Sequence, residues 1–236
     1  MIEPLDPMAF KKIVFFTGAG MSAESGVPTF RGAGGIWSQY RWQEYACQRA
    51  FERDPQKVLD FHELRRKEAL RCQPHAGHRV ITGLQQRHGA VFIITQNIDG
   101  MHQRAGAKQV IELHGSLWRV RCPKHGVMLD MAETYTHRRC PDCGQWLRPD
   151  IVWFEDMLDE EEVQAAQYEL GTCDLFISIG TSAVVWPAAG YPLIARNSGA
   201  LCIEINPEPS QNCELYQRRI RGKAGEVLPQ LFTATK

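Results

Sequence analysis

Two constellations in this chain have the residue types and the spacing to do chemistry. Cys122-Pro123-Lys124-His125 and Cys140-Pro141-Asp142-Cys143 are two knuckles with 14 residues between them. A two-residue gap turns both ligands of a knuckle onto one cation, and thiolates with an imidazole favour tetrahedral zinc. The alternative is a decayed site in which His125 and His137 are merely solvated. The second constellation, Gly18-Ala19-Gly20-Met21-Ser22-Ala23-Glu24-Ser25, follows the apolar run Ile13–Phe16. Glycines here permit a tight turn and close approach of backbone to a pyrophosphate, which a following helix N-terminus would favour. Ala23 replaces the third glycine of G-x-G-x-x-G, and no acidic residue follows at about 20 residues to hold a dehydrogenase's ribose. Taken alone, the loop fits a nucleotide site or a structural turn equally.

The elements that must position these residues are legible as short apolar runs separated by helical stretches: Ile13–Phe16, Val91–Thr95, Val110–Leu113, Leu175–Ile179 and Leu201–Ile205. Runs without polar alternation, spaced by crossovers, indicate a parallel sheet covered on both faces. Each ends in a polar or glycine-rich segment, TGAG, TQNID, LHGS, SIGTS and EINPE. Ligands of open α/β sheets sit beyond the carboxyl ends of the strands, so these loops should share one crevice. Residues 36–74, with Val58, Leu59, Phe61, Leu64, Ala69 and Leu70 at helical spacing, and residues 118–147, with the cysteine cluster, depart from that rhythm.

GAGMSAESG (residues 18–26), TQNIDG (95–100), LHGS (113–116) and GTS (180–182) occur in an order that resembles the sirtuins, the NAD-dependent protein lysine deacylases. The resemblance runs from about Lys12 to Pro229. It implies an α/β fold: a Rossmann-like NAD-binding domain (1–35, 75–117 and 148–236) and a small lobe made of a helical insertion (36–74) and a zinc-binding insertion (118–147). It also implies consumption of NAD as co-substrate and one structural zinc. Most family members with this metal site carry four cysteines, where this chain has His125.

By the same resemblance, His114 removes a proton from a ribose hydroxyl after the acyl oxygen has displaced nicotinamide. The alkoxide then attacks the imidate carbon, and water releases lysine and 2′-O-acyl-ADP-ribose. A histidine's ordinary pKa of about 6.5 leaves it neutral at slightly alkaline pH, as a base requires. Asn97 would order the ribose and the reacting water, while Asp99 and the Ile98 backbone would hold the nicotinamide carboxamide; helix capping is the bland alternative for both side chains. Phe30 would close over nicotinamide and Arg31 would hold phosphate. Gly180, Thr181 and Ser182 match a phosphate and ribose contact; Asn206, Pro207 and Glu208 match the adenosine ribose, and Lys223 and Ala224 the adenine edge. Ser22, Ser25, Thr29, Trp37 and Gln96 complete the implied cofactor set. Val152-Trp153-Phe154 resembles the segment that pairs with substrate peptide as an added strand, Val152 and Phe154 being the expected contacts. Glu155 stands where the family has glycine.

Thr29 and the phrase GVPTFRGAGG resemble the sirtuin branch that removes succinyl, malonyl and glutaryl groups. That branch reads the distal carboxylate with Tyr-x-x-Arg; the aligned residues are His62 and Arg65. A bidentate arginine contact is worth roughly 1.5–3 kcal/mol. A solvated helix face is the alternative. The expectation is a mixed deacylase, acting on acylated-lysine proteins or peptides. A protein ADP-ribosyltransferase or a non-catalytic NAD-responsive module on the same scaffold are the competing readings.

Composition excludes some partners. Lys plus Arg and Asp plus Glu are 27 each, so no global field attracts nucleic acid or anionic lipid, although Arg65-Arg66-Lys67 is a local basic run. The absence of an apolar leader or an 18-residue apolar stretch leads to the expectation of a soluble, cytoplasmic protein with no membrane or specific nucleic-acid partner. The other five cysteines, Cys47, Cys72, Cys173, Cys202 and Cys213, read as core thiols.

Overall fold

The computed structural model describes residues 2–30 and 34–233 of the 236. In chain order, β1 (Ile13–Thr17) leads through α1 (Ala19–Ala23) to four helices of the small lobe: α2 (Ile36–Gln39), α3 (Trp42–Tyr45), α4 (Gln48–Arg53) and α5 (Pro55–Arg71). The sheet resumes with α6 (Ala76–Arg87), β2 (Val91–Thr95), α7 (Met101–Arg104) and β3 (Val110–Glu112). The chain then leaves for β4 (Gly115–Cys122), β5 (Gly126–Leu129) and β6 (Arg148–Ile151). It returns through α8 (Glu160–Thr172), β7 (Leu175–Ile179), α9 (Tyr191–Asn197), β8 (Leu201–Ile205), β9 (Arg218–Ile220) and α10 (Ala224–Leu231).

The large sheet has the order β3-β2-β1-β7-β8-β9, and every pairing in it is parallel. All five expected apolar runs are strands of it. The sixth, β9, escaped the sequence because Arg218-Arg219-Ile220 carries no apolar run; an edge strand with charged side chains needs none. Alternate side chains of β1 enter two cores. Ile13 and Phe15 pack with Ile81, Leu84, Val227 and Leu228 of α6 and α10, whereas Val14 and Phe16 pack with Ala166, Leu170 and Ala195 of α8 and α9. The strand order reverses between β1 and β7, which makes the loops after them the switch point where such sheets bind ligands.

The small lobe is an antiparallel sheet, β5-β4-β6, against α2–α5. Val58 and Leu59 share one core with Leu117, Trp118, Leu147 and Trp153, so both insertions form a single unit. Its sheet runs from Gly115 to Ile151, beyond the 118–147 bounds expected for the metal insertion. The longest helix, α5, starts where Asp54 accepts from the Lys57 N–H at 3.0 Å and Pro55 occupies the first turn. Arg65 and Arg66 on it are buried, so the basic run is not a surface patch. Among the described residues, no helix is long and apolar enough to cross a membrane.

Candidate functional site

The crevice begins where two loops touch through bare backbone. Gly18 N–H donates to the Ile179 carbonyl and Gly20 N–H to the Gly180 carbonyl, both at 2.9 Å. A Cβ on Gly20 would lie 2.6 Å from Gly180 Cα; one on Gly180, which has φ +62°, would lie 2.4 Å from the Met21 nitrogen. Here the sequence expectation changes. The close approach that the glycines permit is made here to the neighbouring loop, and the missing side chains let β1 and β7 continue into touching turns. α1 is only five residues long.

Beside this contact, Asn97 is buried and donates from Nδ2 to the Gly18 carbonyl at 2.9 Å and to Ser22 Oγ at 3.2 Å. Its own N–H donates to Thr95 Oγ1 at 3.0 Å, which also accepts from Thr17 Oγ1 at 2.9 Å. Thr17 and Thr95 stand in register on β1 and β2, and His102 Nε2 is 3.0 Å from Thr17 Oγ1. Burial lowers His102 to about 3, so it is neutral. Neither threonine nor His102 was expected at the site. Two threonines each closing an apolar strand before a polar loop are a signal that was available.

Asp99 is buried and accepts from the Met101 N–H, the first of α7, at 2.9 Å. Burial pushes the Asp99 carboxyl up, against the Met101 N–H and Ser22 hydroxyl that favour its charged form. Its carbonyl accepts from Trp118 Nε1 at 2.9 Å, and the Ile98 carbonyl accepts from the Leu117 N–H at 2.9 Å, so this loop is clamped to the small lobe. His114 lies in the turn between β3 and β4, with Nδ1 2.9 Å from the Gln96 carbonyl. A carbonyl only accepts, so Nδ1 carries the proton and Nε2 is the basic nitrogen. Gly115, at φ +72°, makes this turn; a Cβ there would fall 2.1 Å from the Asp150 carbonyl oxygen.

Phe30 forms the far wall. Its ring stacks on Trp37 at 5.9 Å, and the Ile36 and Trp37 N–H groups donate to the Thr29 and Phe30 carbonyls. Arg31 lies outside the described residues. From α5, Arg65 reaches this wall: it is 5.8 Å from the Phe30 ring, donates from Nη2 to the Pro28 carbonyl at 3.5 Å, and pairs through Nη1 with Glu68. Burial disfavours its charge, while the Glu68 and Asp99 carboxylates sustain it. The solvated-face alternative does not hold for Arg65. His62 is also buried, but its nitrogens are engaged: Nδ1 is 2.8 Å from the Val58 carbonyl, and Nε2 accepts from Trp153 Nε1 at 3.2 Å. Burial lowers it to about 4. His62 therefore orients Trp153 instead of offering a donor or a charge to a ligand.

The segment Val152-Trp153-Phe154 belongs to no strand and Phe154 already lies in a turn; its N–H groups are taken by the His114 carbonyl, the Asp156 carboxylate and the Ala46 carbonyl. Phe154 stacks on Trp42 at 4.6 Å. Glu155 takes a positive φ, +74°, the conformation a glycine would adopt without strain, and pairs with Arg49 at 2.5 Å.

At the other end of the crevice, Asn206 donates to the Thr181 carbonyl at 2.8 Å. Ser182, Pro207 and Glu208 are exposed, and Ala224 opens α10. Glu24 and His75 were not expected here. Glu24 accepts from the Gly225 N–H at 3.0 Å, and His75 Nε2 is 2.7 Å from the Met21 carbonyl, tying the first loop to α10 and α6. The Ser25 hydroxyl is buried with no partner among the described residues, a polar group suited to a ligand. These features fit a dinucleotide lying across β1 and β7.

The four metal-ligand atoms of Cys122, His125, Cys140 and Cys143 lie within 4.8 Å of one another. Cys122 Sγ is 3.6 Å from Cys143 Sγ and 3.8 Å from His125 Nδ1, which is 3.2 Å from Cys140 Sγ. Tetrahedral zinc with bonds of about 2.0–2.3 Å has edges of roughly 3.5–3.8 Å, so the set fits. His125 would ligate through Nδ1.

An open parallel sheet with a switch-point crevice and an antiparallel lobe that carries the Cys/His cluster define a Rossmann-like α/β protein with a small second lobe. The Sir2 family model matches residues 18–187. The chain is 46% identical over 225 residues to NAD-dependent protein deacylase 2 of Pyrobaculum aerophilum, covering 94% of this chain and 90% of that one. A solved Sir2 homologue–NAD complex superposes with TM-score 0.87 at 41% identity, over 95% of this chain and 89% of that one. A Sir2 protein solved with a deacetylated p53 peptide and 3′-O-acetyl-ADP-ribose superposes with TM-score 0.83 at 28% identity, over 95% and 93% of the two chains. The chain belongs to the Sir2 family.

Proposed function

We propose that this protein removes acyl groups from protein lysines at the expense of NAD, giving nicotinamide and 2′-O-acyl-ADP-ribose. The observation that supports it best is the meeting of His114, Asn97 and Asp99 beside the Gly20–Gly180 contact in a Sir2-family chain. NAD supplies the activated ribose carbon. His114, oriented by the Gln96 carbonyl, presents Nε2 to take a proton from a ribose hydroxyl. Asn97, fixed by Gly18 and Ser22, aligns the ribose and the reacting water. Asp99 and Ile98 receive the carboxamide of nicotinamide, and Phe30 on Trp37 keeps water from it. Ser25, Thr181, Ser182, Asn206, Pro207, Glu208 and Ala224 line the path of the phosphates and adenosine, with Arg31 on phosphate. Cys122, His125, Cys140 and Cys143 hold zinc, which keeps the lobe folded and takes no part in the reaction.

The substrate is an acylated lysine in a protein or peptide, approaching along Val152 and Phe154. Arg65, buried at the Phe30 wall with an unpartnered Nε–H among the described residues, favours acyl groups that end in a carboxylate. Mass spectrometry of acetyl, succinyl and malonyl versions of one peptide with NAD tests the reading. Free lysine with acyl-ADP-ribose is expected. A peptide gaining ADP-ribose would replace deacylation by ADP-ribosyl transfer, and no change would remove the enzyme reading.

A further inference from the structure

Glu68 lies one turn beyond Arg65 on α5, with Oε2 accepting from Arg65 Nη1. The two ends of this ion pair differ: the Arg65 side chain is 7% exposed and that of Glu68 is 32% exposed. Of the other Arg65 donors, Nη2 meets the Pro28 carbonyl only at 3.5 Å, and Nε–H is buried without a partner among the described residues. The guanidinium thus has its charge compensated from within the chain but keeps hydrogen-bonding capacity to spare. Glu68 reaches solvent, so it can leave; Arg65 cannot. Asp99 is a second carboxylate near enough to act on Arg65.

We propose that Glu68 sets the acyl preference as a resident counter-ion of Arg65, one that neutral acyl groups leave in place and acidic acyl groups must displace. This rests on the reading that Arg65 faces the acyl end of the substrate. Two carboxylates on one buried guanidinium repel each other in a medium of low dielectric constant. An incoming succinyl group therefore gains only the difference between its own contact with Arg65 and the one it breaks. An acetyl group carries no charge and meets no such competition.

The test is kcat/KM for acetyl- and succinyl-lysine versions of one peptide, with wild type, Glu68→Gln, Arg65→Met and the double variant. Glu68→Gln should raise the succinyl-to-acetyl ratio by up to roughly 10- to 150-fold, the range for one charge-assisted contact. The rise should come mainly from a lower KM for the succinyl peptide. The double variant should lose the gain, which a merely structural role of Glu68 would not require. An unchanged or lowered ratio in Glu68→Gln, with a selective succinyl loss in Arg65→Met, overturns the counter-ion role alone. Equal losses on both peptides in Arg65→Met overturn the acidic-acyl reading and the counter-ion role together.

Discussion

The two sides of the crevice are built by different means. On the sheet side, Gly18, Gly20 and Gly180 bring bare loops into contact, and the side chains around them are held by backbone or by neutral hydroxyls. On the small-lobe side, α5 turns one face to the Phe30 and Trp153 region and another to the metal module. Phe61, His62 and Arg65 meet aromatic rings, Pro28 and Trp153, whereas Asp60, Glu63 and Arg66 grip the metal module. Arg66 is fully buried, bonded to Asp130 and placed over the Trp118 and Tyr135 rings. A site made of backbone tolerates little change. A site made of side chains on one helix can alter its preference by single substitutions while the fold stays the same.

Metal removal should separate the two sides most strongly, since structural zinc contributes on the order of 10 kcal/mol of apparent binding energy. Five of the six tryptophans, Trp37, Trp42, Trp118, Trp146 and Trp153, pack in the small-lobe core, and the sixth, Trp186, is 76% exposed. Tryptophan emission therefore reports the lobe, and far-UV circular dichroism mostly the sheet domain. Chelation should shift the emission to the red while most of the dichroism persists, with about one zinc released per chain. Metal-free protein with unchanged emission and melting temperature would show the cluster to be vestigial.

His114→Tyr attacks the sheet side chemically. Loss of a general base costs on the order of 10²–10⁴ in rate. Deacylation should fall by that factor while NAD still protects the protein against thermal unfolding. A variant keeping more than about a tenth of wild-type turnover would assign the proton transfer elsewhere.

The unequal construction also explains what the sequence disclosed. Strands buried on both faces must be apolar throughout, so five of the six large-sheet strands were visible as runs, and the loops beyond them followed from topology. Charged β9 was invisible because an edge strand needs no such run. The knuckles were legible because metal geometry dictates their spacing. Partners chosen by three-dimensional packing were not. His62 could be aligned with a family tyrosine, but that Trp153, 91 residues on, claims its Nε2 has no trace in local pattern. Arg65-Arg66-Lys67 is a local basic run in the sequence, and nothing in it tells that packing against Phe30 and between Trp118 and Tyr135 buries both arginines.

A methyl group at the loop contact is the steric counterpart of the His114 test. In Gly20→Ala, the new Cβ meets Gly180 backbone that has no side chain to yield. Overpacking of this kind costs about 1–3 kcal/mol. Thermal unfolding should show that loss, accompanied by weaker NAD protection, because the displaced loop carries Asn97's partners Gly18 and Ser22. The same substitution at Gly83, whose Cβ would meet nothing within 4 Å, is the control and should leave NAD protection intact. If the two variants behave alike, the close approach of the loops is not what forms the crevice.

The last comparison is of acid stability, and it takes one buried histidine from each side. Burial lowers His62 to about 4 and His102 to about 3. In the unfolded chain both take up a proton near their ordinary value of about 6.5. The unfolded state therefore binds more protons below that pH, and the stability present above it is lost as pH falls. Each histidine adds a slope of at most about 1.4 kcal/mol per pH unit, with the His62 contribution levelling off once pH drops through about 4. Other groups, the metal ligands included, also respond to acid, so the informative quantity is the difference between wild type and His62→Gln. The glutamine amide of that variant can still accept from the Trp153 indole but has no proton to gain. Urea midpoints followed by tryptophan emission from pH 7.5 to 4 should converge, with wild type losing up to about one proton's worth of slope more than the variant. Parallel curves would mean that His62 titrates as freely in the folded protein as in the unfolded chain, and that its clamp on Trp153 is not the neutral one its two partners require.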